Sequence, residues 1–73
     1  MPEEQFNVVI FDAEGWHETF LADATAENAV NAAKRCVDRL GARGIVDKVI
    51  ITDEDDFTVF LWQRGEGVVF PPR

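Results

Sequence analysis

The chain is expected to adopt an α+β fold, a ββαββ two-layer sandwich with one helix packed on one face of a four-stranded mixed sheet. Three observations carry this expectation. Residues 6–11 and 16–22 are apolar segments joined by a short polar turn, and residues 45–52 and 57–63 repeat that arrangement. Between the two hairpins, residues 25–40 space their apolar side chains at the helical period.

Each element has a local reason. Asp12-Ala13-Glu14-Gly15 separates Phe11 from Trp16, and Gly15 can take the positive φ that a tight hairpin loop requires. In the helix, Ala26, Ala29, Val30, Ala33, Val37 and Leu40 share one side, opposite Glu27, Asn31, Lys34, Arg35 and Asp38. Thr25 is placed to cap the N-terminus, Glu27 suits the positive end of the dipole, and Arg39 with Gly41 suits the other end. Gly41-Ala42-Arg43-Gly44 reads as a flexible connection, and Asp53-Glu54-Asp55-Asp56 closes the second hairpin. The chain reads as one domain, with an ordered core over 6–63 and a tail over 64–73.

Val8-Val9-Ile10-Phe11 and Val59-Phe60-Leu61-Trp62 are the two most continuously apolar strand segments, which suits central strands. His17-Glu18-Thr19 and Asp47-Lys48 are mixed, which suits edges. Over residues 6–63 this layout is similar to the immunoglobulin-binding domain of streptococcal protein G. The resemblance is one of topology and implies that the first and last strands pair in parallel at the sheet centre. It brings no shared motif, so antibody binding is not implied.

Composition excludes several classes of function. A net charge of −7 and a pI near 4.4 set the chain against a nucleic-acid phosphate backbone. The single Cys36 forbids an internal disulfide and suits a reducing compartment. Met1-Pro2-Glu3-Glu4 lacks the features of a signal peptide, and no apolar run approaches the roughly 20 residues that cross a bilayer, so no membrane association and a cytoplasmic location are expected.

The chemical candidates are few. The chain contains neither serine nor tyrosine, which removes those nucleophiles and acids. Cys36 lies mid-helix without a neighbouring base and reads as a packed sulfur. His17 is the one imidazole, and it reads as a strand residue. Asp53-Glu54-Asp55-Asp56 lacks the alternating ligands and bend glycine of a calcium loop and reads as a solvated turn. Arg35, Arg39 and Arg43 form a basic line that compensates local acids, and Arg64-Gly65-Glu66-Gly67 is no complete phosphate loop. No catalytic constellation, metal site or cofactor site is expected.

A single helix covers one face of a sheet, yet both faces read as apolar. Phe6, Val8, Ile10, Leu21, Ile50, Phe57, Val59 and Leu61 are assigned to the helix side, and Val9, Phe11, Trp16, Phe20, Val49, Ile51, Phe60 and Trp62 to the open side. Soluble monomers seldom leave a broad apolar patch uncovered. The expected function is a small acidic protein-interaction module rather than an enzyme. It is expected to be homo-oligomeric or bound to a protein partner, with Phe11, Trp16, Phe60 and Trp62 as its contact residues. The alternative is a small-ligand-binding or enzymatic accessory subunit with a pocket between the sheet face and the tail or a second chain. The tail segment Val68-Val69-Phe70-Pro71-Pro72 could itself cover the open face or add a short strand.

Overall fold

A computed structural model describes residues 4–41 and 43–70. Readings that involve Met1, Pro2, Glu3, Ala42, Pro71, Pro72 or Arg73 lie outside the described residues. The elements are β1 (Phe6–Phe11), β2 (His17–Ala24), α1 (Ala26–Arg35) with a π-helical continuation (Cys36–Gly41), β3 (Lys48–Thr52), β4 (Thr58–Gln63) and β5 (Gly67–Phe70). The five strands form one antiparallel sheet in the order β2-β1-β3-β4-β5, on which α1 and its continuation pack as one 16-residue helix.

The two hairpin loops use one device twice. Oδ1 of Asp12 accepts from the backbone N–H of Glu14 and Trp16, both at 2.9 Å. Oδ1 of Asp53 accepts from those of Asp55 at 2.9 Å and Phe57 at 3.0 Å. The fourth loop residue has a positive φ in each case, 89° at Gly15 and 64° at Asp56. The side-chain carboxylate thus holds the loop closed by local hydrogen bonds. At the helix start, Thr25 Oγ1 accepts from the N–H of Asn28 at 3.2 Å, the N-cap that the sequence suggests.

The strand order departs from the protein-G-like expectation. The sheet is not mixed, and β1 pairs antiparallel with β3 rather than in parallel with β4. The connection from β2 through α1 to β3 therefore passes over one intervening strand instead of two. Because β3 and not β4 lies beside β1, the far edge of β4 is free to pair with the tail segment, which forms the fifth strand. Asp47 misleads as an edge signal because it precedes β3. Its Oδ1 pairs with Arg64 Nε at 3.1 Å, and its backbone N–H donates to the Phe11 carbonyl at 2.7 Å.

The faces match the expectation for Phe6, Val8, Ile10 and Leu21 but not for the second hairpin. Val8 and Val49 are fully buried and Ile51 nearly so, which identifies the side covered by the helix. Directly opposed residues share a face, and the register sets Val8 opposite Ile51, Ile10 opposite Val49, Ile51 opposite Phe60, and Val49 opposite Trp62. Phe6, Val8, Ile10 and Leu21 do face the helix. In the second hairpin the faces are exchanged, so that Val49, Ile51, Phe60 and Trp62 lie on the helix side and Ile50 and Leu61 on the outer side. A one-residue difference in register between hairpins exchanges faces, and neither hairpin's own sequence specifies that register.

Candidate functional site

The helix is too narrow for the sheet. Five strands span about 19 Å between edge axes, whereas a helix is about 10 Å across. α1 packs on β1, β2 and β3, and its continuation reaches β3. Alanines 29, 32 and 33, with Cys36, let it lie close to Val8, Val49 and Ile51, and these small and branched residues make up most of the core. Burial raises the Cys36 thiol above its ordinary pKa, as desolvation of a thiolate requires.

Beside the helix, above β4 and β5, the inner face is open. A cleft of about 190 Å³ runs there, walled by Val30, Ala33 and Val37 and floored by Phe60, Trp62 and Val68. It is almost wholly apolar, with exposed Lys34 and Asp38 at its helix rim. Val30 and Val68 are 43% and 45% exposed, so the cleft opens to solvent rather than closing as core. Trp62, in its floor, also lies against the backbone of Gly41.

The outer face is organised in rows. Thr19, Val9, Ile50, Leu61 and Phe70 are successive cross-strand partners, giving a line that crosses all five strands and is apolar from Val9 to Phe70. The row of His17, Phe11, Lys48 and Gln63 flanks it on one side, and Asn7, Thr52 and Thr58 flank it on the other. Lys48 Nζ sits 5.2 Å from the Phe11 ring centroid, and the His17 ring is 5.5 Å from that of Phe11. None of these outer-face positions is a carboxylate, although the chain has 14 aspartates and glutamates.

The four expected contact residues are not brought together. Phe11 is half-buried on the outer face beneath Lys48 and His17. Trp16 is 73% exposed at the end of the first hairpin loop, near Leu40 and Ile45. Phe60 and Trp62 lie on the opposite, inner face and floor the cleft. Phe20, expected on the open side, lies beside α1 residues Asn28 and Asn31, because β2 bulges at this residue, between the partners of Val8 and Val9. Leu61, Ile50 and Phe70 are the outer-face residues that the sequence reading missed. The signal for them is β5 itself, whose presence beside β4 settles which hairpin strand is internal.

Among the described residues no group of three or more His, Cys, Asp or Glu is arranged to hold a metal ion. No described helix is long and apolar enough to cross a membrane. No family model matches the chain, and comparison with curated proteins and with solved structures finds no match to it.

Proposed function

We propose that this protein is a small acidic protein-interaction module that self-associates through the outer face of its sheet. The observation that carries the reading is the apolar row of Val9, Ile50, Leu61 and Phe70, flanked by rows that hold no carboxylate. Two copies, each with a net charge of −7, repel over most of their surfaces. Apposed outer faces bring apolar rows together and keep acids apart, as face-to-face sheet packing requires.

The small core supports the same reading. Of six phenylalanines and two tryptophans none is buried, and the largest fully buried side chains are Val8, Val49 and Cys36. A domain of this size gains little from its own interior, and association is one common remedy. The competing reading, a small-ligand or accessory subunit, has the cleft beside Val68 in its favour. Specific ligand sites carry a few inward polar groups, and this cleft has almost none.

Sedimentation equilibrium of the wild type and of Leu61→Arg tests the proposal. A wild-type dimer weakened by at least about 30-fold in the variant, the equivalent of about 2 kcal/mol, with an unchanged circular dichroism spectrum, supports it. A wild type that stays monomeric at high concentration, or a variant that associates as before, overturns it.

A further inference from the structure

The inner cleft lies on the opposite side of the sheet from the outer row, and its occupant can be argued independently of self-association. The strip of inner face over β4 and β5 is about 10 Å wide, two strand spacings, which matches the diameter of one α-helix. A sheet layer is ordinarily covered by as many helices as its width needs, and the described residues supply only one. We infer that the cleft seats one amphipathic helix of another protein, with its apolar stripe on Phe60, Trp62 and Val68 and a basic outer face.

The chain's own features select this occupant. A second copy's helix brings no apolar stripe, because the outward residues Glu27, Asn31, Lys34 and Arg35 of α1 and Asp38 of its continuation are all polar and exposed. An added strand is opposed by the short β5, four residues long and irregular at Val69, which has no ladder partner on β4. The basic character follows from charge. The net charge of −7 favours a basic partner, and the two charged residues at the rim of the cleft, Asp38 and Lys34, offset each other.

Titration of the full chain carrying Trp16→Phe, which leaves Trp62 as the one tryptophan, tests this with designed peptides. The probe is an 18-residue peptide of leucine and lysine, with leucines at helical spacing. The expected result is saturable binding with a blue shift of Trp62 emission, weakened at least tenfold by Val30→Lys and unchanged by Asn31→Lys, which adds the same charge away from the cleft. A glutamate-for-lysine peptide should bind at least tenfold more weakly. No saturable binding, or equal weakening by Val30→Lys and Asn31→Lys, overturns the inference. Tighter binding of a peptide with alternating leucines overturns it in favour of strand addition at β5. Loss of self-association in Val30→Lys overturns it in favour of a second copy. The Leu61→Arg protein should bind the helical peptide as the wild type does, so the two readings fail separately.

Discussion

The indole of Trp62 lies directly against the backbone of Gly41, so that a Cβ added at Gly41 would stand 2.7 Å from Cη2 and 3.3 Å from Cζ2 and Cζ3. The contact joins the last residue of the π-helical continuation to β4, at a point where the sheet extends beyond α1's main footing. A methyl group there forces a rigid ring to move. Gly41→Ala should therefore destabilise the fold by about 1–3 kcal/mol, the usual cost of overpacking, measured by urea denaturation. Adding Trp62→Leu should recover part of that loss, and strict additivity of the two changes would show that the contact is not what the methyl group disturbs.

The paired loop aspartates make a second prediction. Removing the Asp53 carboxylate by Asp53→Ala leaves two backbone donors without their partner and should cost about 1 kcal/mol. Asp56→Gly should gain up to about 1 kcal/mol, because an L residue at φ 64° carries strain that glycine does not. A destabilised Asp56→Gly protein in thermal melts would count against this loop geometry.

These loops show where the sequence is legible. Asp12 and Asp53, each four residues before an aromatic, mark hairpins by local chemistry, and Thr25 marks the helix start in the same way. Strand order is different, since β1 has two apolar faces and either β3 or β4 offers a plausible partner. The deciding contact, Val8 opposite Ile51, joins residues far apart in sequence. For that reason Phe60 and Trp62 lie on the helix side of the sheet and not on the expected open side. The helix does not cover the more aliphatic side of the second hairpin, because α1 seats Val49 and Ile51 and leaves Phe60 and Trp62 at its margin.

Cys36 offers a pH test. Its folded thiol pKa is raised, so the folded state holds the proton more tightly than the unfolded state does. The associated stability is fully present below the ordinary thiol range of about 8–9 and is lost as pH rises through the folded value. Wild type should lose more stability than Cys36→Ala on moving from neutral to alkaline pH, and a thiol reagent should label Cys36 only as fast as the protein opens. Rapid labelling of the folded protein at neutral pH would contradict the packed placement.

Salt should strengthen self-association. Raising ionic strength from about 0.01 M to 1 M shortens the screening length from about 30 Å to 3 Å, which removes repulsion between two chains of net charge −7. The apolar row loses nothing by screening. A dimer that dissociates in salt would point to ion pairs across the interface, and the cross-strand rows of the outer face hold no carboxylate to make them.

The most direct measurement is of side-chain methyl resonances as the labelled protein is diluted. Val9, Ile50 and Leu61 should shift together with a single association constant, while Val30 and Val68 on the inner face stay fixed. Concentration-dependent shifts confined to Val30 and Val68, or no shifts at any concentration, would contradict self-association through the outer sheet face.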